Sequence, residues 1–432
     1  MKCLVGIWFA CLYAISANSQ VSQYSTNEFL LYFNQIAVVT EKHKDLWDKE
    51  LYGPILLVDP TTREVYANMP DKEGVLKFKD GLYTGFLPRE VPVSNTDIKW
   101  KGVHWAMLEL PLPKGGYNRI DLMAHELFHV AQPSLGFFLD RDDNNHLNQK
   151  DGRIYLRLEI AALLSALNSN RLVVAEEHIS NALIFRKYRH MIHRGSQVSE
   201  NKLELLEGLA SYTGQVMSGR DKWEWREYLI RRLKQFNNNP TFVRSFAYET
   251  VPVYGFFLQQ KDYYWNKKVD NLTDLTDYFS EAFGMDSRIL LQSYVRQLAD
   301  EYNGRAIVDE EIKRASLNDD LLDNYRDKFF EQPHLEIRLE NMEMSFNPKN
   351  LIPLDEDEGV VYPTIKISDN WGILTVEGGG ALLRTDWRWV IVSEPLEVTK
   401  EKVIGDGWFI ELNNGYYIEK ITNEVYLLSK KQ

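Results

Sequence analysis

Residues 125–129 of this chain read His-Glu-Leu-Phe-His. On an α-helix, positions four apart share one face, so His125 and His129 can offer imidazole nitrogens to the same metal ion. Glu126 is rotated from His125 by about 100°. Its carboxylate can therefore stand beside a metal-bound water without being a ligand, as a general base requires. Two histidines and an intervening glutamate at this spacing form the HExxH pattern of zinc-dependent hydrolysis. The alternative is a buried structural helix whose two histidines are satisfied by hydrogen bonds.

The elements around the motif must position it. Gly115-Gly116 breaks the chain, Asn118 can cap a helix with Asp121 three residues on, and Pro133 stops it just after the second histidine. Leu122, Met123, Leu127 and Phe128 supply its apolar faces. A catalytic zinc needs a third protein ligand and leaves its fourth position to water. Glu207, in the segment Glu204-Leu-Leu-Glu207-Gly-Leu-Ala-Ser-Tyr212, is the first candidate. Gly208 and Ala210 would let another backbone approach it. Glu200, Glu204 and Glu207 share one helix face, and the alternative is that all three form a solvated acidic surface. Glu159 is a second candidate, because a lone carboxylate on an apolar helix needs a partner; an ion pair with a nearby arginine would serve equally. His146 is a third, as a ligand or a substrate contact, although the Asn/Asp-rich stretch before it suggests a loop. For stabilising an oxyanion the sequence offers His146, Tyr212 and Tyr254, with Tyr212 pointing away from Glu207's face. Arg186, Lys187, Arg189, His190, His193 and Arg194 form a basic cluster, either solvated or paired with Glu159 or a neighbouring acidic face.

The HELFH and EGLASY segments together resemble the gluzincin branch of zinc metallopeptidases, the thermolysin-like or peptidase-MA-like group. More narrowly, the chain resembles an uncharacterised family of bacterial secreted proteins with the same layout. The resemblance covers residues 100–215. It implies a zincin-like fold, Zn2+ held by His125, His129 and Glu207, Glu126 as the base, and a peptide or protein substrate. The chain departs from the group in two ways. The segment 134–197 between the motifs is long, and Ser211 stands where thermolysin-like enzymes carry an aspartate four residues after the ligand glutamate, so the partners that orient the histidines are unassigned.

The rest of the 432 residues reads as an α+β protein. Short strands run from Pro54 to Leu110, among them His104-Trp-Ala-Met-Leu-Glu-Leu110, whose edge could pair with an extended substrate. Amphipathic helical periodicity dominates from Asn118 to about Phe330. After Gln332-Pro333, strands and Gly/Asn turns predict an all-β domain, a sandwich or a barrel. The expected organisation is a signal peptide over 1–20, a zincin-like domain over 21–332 combining a small β-sheet with a mostly helical remainder, and a β domain over 335–432. Trp371, Trp387, Trp389 and Trp408 of the last could stack on sugars or serve as its core. That gives a second functional reading: an inactive zincin-like protein whose β domain binds a glycan or cell-wall polymer.

Composition bounds both readings. The net charge of −12 argues against a nucleic-acid partner. Lys2 followed by an apolar run from Leu4 to Ile15 and small residues at 17–19 predicts an exported protein, periplasmic or extracellular after cleavage. No later stretch is apolar enough to be a membrane span. The two cysteines, Cys3 and Cys11, lie within the leader. The mature chain would then have neither disulfides nor thiolate ligands, and any metal site must use histidine and carboxylate.

Overall fold

The computed structural model describes residues 24–88, 91–139, 144–285, 291–346, 351–354 and 357–431. The expected signal peptide and both cysteines lie outside them. The fold is mixed α+β, as the periodicity predicts: a small N-terminal sheet, a helical middle and a C-terminal all-β region with two sheets. No helix of the described residues is long and apolar enough to cross a membrane.

In chain order, helix α1 (Thr26–Lys42) precedes six strands: β1 (Ile55–Val58), β2 (Glu64–Ala67), β3 (Lys77–Lys79), β4 (Leu82–Phe86), β5 (Thr96–Trp100) and β6 (Val103–Glu109). Then come α2 (Gly116–Ala131), α3 (Lys150–Asn168), α4 (Leu172–Ile192) and α5 (Ser196–Leu203). One wide, π-helical turn over Glu204–Gly208 joins α5 to α6 (Leu209–Met217). The helices α7 (Lys222–Phe236), α8 (Ala247–Leu258), α9 (Leu275–Ala282), α10 (Gln292–Asp300) and α11 (Gly304–Arg326) follow.

The chain forms two compact units whose segments interleave: 1–142, 198–234 and 247–282 in the first, 143–197, 235–246 and 283–432 in the second. The first unit holds the sheet β3-β4-β2-β1-β6-β5. Its centre is β1 and β6, which run parallel. Ile55–Val58 and Trp105–Leu108 have no accessible surface. A run apolar at every position is what a strand covered on both faces requires. This corrects one expectation. The strand preceding the motif, β6, is internal, with β1 on one side and β5 on the other, so it has no edge to offer a substrate; the sheet's edge strands are β3 and, next to β6, β5.

In the second unit, α3 and α11 are tied by a buried ionic knot. Arg153 Nε reaches Glu311 Oε2 at 2.7 Å and Arg157 Nη1 reaches Glu311 Oε1 at 2.9 Å. The C-terminal strands are β7 (His334–Arg338), β8 (Glu343–Phe346), β9 (Ile352–Pro353), β10 (Val360–Tyr362), β11 (Ile365–Asp369), β12 (Gly372–Val376) and β13 (Ala381–Leu383). They continue as β14 (Trp389–Ser393), β15 (Pro395–Val398), β16 (Lys402–Gly405), β17 (Trp408–Leu412), β18 (Tyr416–Lys420) and β19 (Val425–Lys430). They build sheets β18-β19-β7-β14-β13-β10-β9 and β15-β16-β17-β12-β11-β8. Strict alternation, as in Ile365 and Ile367 inward with Lys366 and Ser368 outward, sends one face of each sheet into a shared core. Trp371 and Trp408 belong to that core, and their indole N–H groups donate to Arg338 O and Ser393 Oγ. They are therefore unavailable to stack on a glycan; of the four tryptophans, Trp387 is the exposed one.

Candidate metal centre

Helix α2 begins earlier than its sequence suggests. Gly115, in extended conformation, occupies the cap position, which places Asn118 and Asp121 inside the helix. Neither serves as a cap: Asn118 Oδ1 accepts from Arg220 Nη2 at 2.5 Å, and Asp121 Oδ2 accepts from Arg220 Nη1 at 3.1 Å and from the Tyr228 hydroxyl at 3.2 Å. Two adjacent glycines allow the early start, and the Arg220 guanidinium recruits the two side chains that would otherwise have capped it. Asp121, one turn before His125, has its pKa raised to about 6 by burial, against the opposing pull of Arg220, Arg232 and Tyr228.

The C-terminal half of α2 is buried, including His125, Glu126 and His129. Facing it is the π-helical turn. A π turn inserts one extra residue into a helix and re-aims the side chains around it, a distortion often found at functional sites. Here it carries Glu207, whose Oε2 lies 3.1 Å from His129 Nε2 and 3.4 Å from His125 Nε2, while the two Nε2 atoms are 3.0 Å apart. Glu200, Glu204 and Glu207 are all buried, at 1%, 0% and 5% exposure, so the acidic face is not solvated. Gly208 is the point of close approach: a Cβ there would lie 2.5 Å from Val251 Cγ2 on α8.

The triangle can be tested for fit. Ligand atoms arranged tetrahedrally at bonds of 2.0–2.1 Å are separated by about 3.3–3.4 Å. The observed sides of 3.0, 3.1 and 3.4 Å need only a slight expansion to admit such an ion. Two imidazoles and one carboxylate are also the donor set of an open, catalytic-type zinc site. Among the described residues, these three are the group gathered closely enough to hold a metal.

Protons substitute for a cation in this geometry. Burial disfavours charge on His125 and lowers its pKa to about 4. Burial acts the same way on His129, but the hydrogen bond and charge of Glu207, the charge of Glu126 and the bond to Gln132 outweigh it and push His129 up to about 9. Burial also opposes ionisation of Glu207, yet hydrogen bonds from both histidines, and their charge, hold its carboxyl well below the usual carboxylate range. The site thus keeps one positive charge at His129 against the Glu207 carboxylate.

Two supporting residues were not legible as such in the sequence. Gln132, buried in the 3-10 turn after α2, donates from Nε2 to the carbonyls of Leu205 and Leu206 at 3.1 and 2.9 Å. Its Oε1 is therefore the atom 2.8 Å from His129 Nδ1, which fixes Nδ1–H as donor and leaves Nε2 for the ligand position. The ring of Tyr248 stacks on His125 at 5.5 Å and 13°. Ser211 donates to the Tyr248 carbonyl at 2.9 Å and so supports this stacking segment.

The remaining candidates lie elsewhere. Glu159 is fully buried between Arg186 Nη2 at 2.7 Å and Arg189 Nη1 at 2.9 Å, the ion-pair alternative, and Arg186 and Arg189 are fully buried rather than solvated. His146 sits in a short 3-10 turn with its ring 5.4 Å from that of His193. Tyr254 is fully buried and stacked on Phe279 at 4.6 Å. Tyr212 is buried, and its hydroxyl accepts from Gln259 and Trp265. The chain matches no family model, no curated protein and no solved structure.

Proposed function

We propose that the chain is a zinc-dependent hydrolase of peptide bonds, with His125, His129 and Glu207 as ligands and Glu126 as general base. The observation that carries this reading is the convergence of three buried donor atoms within 3.4 Å of one another, two of them from an HExxH helix. A bound zinc ion would polarise the substrate carbonyl and acidify water. The chain's own groups supply the rest. Glu126, buried beside both ligand histidines, takes the proton that attack by water releases and returns it to the leaving amine. Gln132 keeps His129 in the tautomer that can coordinate. An extended substrate would pair with the edge strand β5 rather than with β6. In keeping with the leader-like residues 1–20, we assign the activity to an exported protein.

The test joins metal content to cleavage. The full chain, purified with zinc, is expected to hold about one ion per molecule and to cut a complex peptide mixture. Glu126→Gln should retain the ion and lose cleavage by about 10² or more. Undiminished hydrolysis by Glu126→Gln, or wild-type protein that takes up zinc yet leaves the whole mixture intact, sinks the proposal.

A further inference from the structure

We infer that Arg232 is the carboxylate-recognising residue of this site, resting on its reading as a peptidase, and that the preferred substrate presents a carboxylate beside the scissile bond. Arg232 comes from α7. Its Nε donates to Glu249 Oε2 at 2.9 Å and its Nη2 bonds Glu249 Oε1, so one edge of the guanidinium is fixed. A guanidinium has a second edge, formed by Nη1 and the other Nη2 hydrogen. Among the described residues no hydrogen bond is made to Nη1, and the side chain is 34% exposed while Glu249 is 10% exposed.

The position of this free edge ties it to the metal centre. Glu249 follows Tyr248, the residue stacked on His125. On the other side, the Arg232 guanidinium carbon is 5.8 Å from the ring of Tyr228, whose hydroxyl binds Asp121, one helical turn before His125. Arg232 thus lies between Glu249 of α8 and the Tyr228 ring, whose hydroxyl reaches Asp121 of α2. A cation anchored by a buried carboxylate, with its outer edge open to solvent, is built to bind a second carboxylate in the planar, two-bond manner that lysine does not offer. The structure leaves two sources for that group, a free peptide C-terminus or an acidic side chain.

Binding distinguishes them. The full chain carrying Glu126→Gln, supplied with zinc so that nothing is consumed, is titrated calorimetrically with three probes: N-acetyl-Ala-Ala, its C-terminal amide, and N-acetyl-Asp-Ala-amide. At least one carboxylate probe should bind roughly tenfold or more tightly than the plain amide, as a charge-assisted pair implies. Preference for N-acetyl-Ala-Ala identifies a C-terminal carboxylate; preference for the Asp probe identifies a side chain. Arg232→Lys, which keeps the charge and a partner for Glu249, should shrink the preference to within about threefold. The pair Arg232→Met/Glu249→Gln, which leaves no buried charge unpaired, should abolish it. Equal binding of all three probes, no binding of any, or a preference that survives the double substitution overturns the inference. Peptide cleavage is read separately on the same Arg232 variants with Glu126 intact. Hydrolysis that depends on Glu126 but shows no carboxylate preference defeats the Arg232 role alone. A preference without hydrolysis defeats the peptidase reading alone.

Discussion

Gln132 holds its side-chain oxygen 2.8 Å from Nδ1 of His129 while its amide nitrogen is committed to the carbonyls of Leu205 and Leu206. One side chain therefore couples the helix that carries His125 and His129 to the turn that carries Glu207. Gln132→Ala should lower zinc affinity roughly 10- to 100-fold, as loss of such a supporting hydrogen bond typically does. Competition with a chromophoric chelator measures it. Gln132→Glu keeps an acceptor for His129 but loses both donors to the turn, so it should cost thermal stability more than zinc affinity. Equal zinc affinity in wild type and Gln132→Ala would remove this role.

The same geometry predicts a proton signature. In the metal-free chain His129 titrates near 9, above the ordinary histidine value of 6.5. A raised folded-state pKa means that its stabilising contribution is full below about 6.5 and is lost as the pH rises toward 9. His125, lowered to about 4, contributes in the opposite sense: its share is present above 6.5 and is lost as the pH falls toward 4. This cluster therefore favours the metal-free fold most near pH 6.5, and denaturant titrations across pH 4–9 should show both flanks. Zinc must displace the His129 proton, so binding at pH 7 should release about one proton and strengthen roughly tenfold per pH unit between 6.5 and 9. Calorimetry in buffers of different ionisation enthalpy reads the proton directly; zinc binding without proton release would contradict the assignment.

Gly208 sits in the π-helical turn where α8 comes closest. An added Cβ would meet Val251 Cγ2 at 2.5 Å and Val251 Cβ at 2.8 Å, both on a buried helix with little room to retreat. Gly208→Ala is expected to destabilise the fold by about 1–3 kcal/mol and to loosen the placement of Glu207 next to it. Urea unfolding with and without zinc checks both. A variant as stable as wild type, with unchanged zinc affinity, would show that the turn has slack.

What the sequence made legible follows from local physics. Four-residue spacing brings His125 and His129 together on any regular helix, and small residues around Glu207 announced a close helix contact, which Gly208 makes. The alternation of Ile365, Lys366, Ile367 and Ser368 marked a half-buried strand. Long-range relations were hidden. Nothing in a single chain says that Gln132 will meet the carbonyls of Leu205 and Leu206, because those groups are accessible only through a π turn that periodicity does not reveal. Tyr248 lies 123 positions from the histidine it covers. Asn118 and Asp121 had the right chemistry for a cap, and Arg220 outcompeted that use. The burial of β6 was readable, since Trp105-Ala106-Met107-Leu108 is apolar at every position, the mark of a strand covered on both faces; which strands flank it was not, because edge pairing leaves no such pattern.

Glu159 separates structural from ligand carboxylates. It is enclosed with Arg186 and Arg189, and all three side chains have no accessible surface. The Glu159 carboxylate accepts from both guanidiniums, and removing one partner from a buried ionic cluster is strongly destabilising. Glu159→Gln keeps the shape and removes the charge, and it should destabilise the chain by about 3–5 kcal/mol. Its folded fraction, however, should bind zinc with unchanged stoichiometry and affinity, since the proposed ligands are His125, His129 and Glu207, the three groups close enough together to hold a metal among the described residues. Glu207→Gln should do the reverse, weakening zinc binding by orders of magnitude at a smaller cost in the metal-free fold. Paired urea and zinc titrations of the two variants make the comparison, and a loss of zinc from Glu159→Gln under conditions where it remains folded would reassign the third ligand.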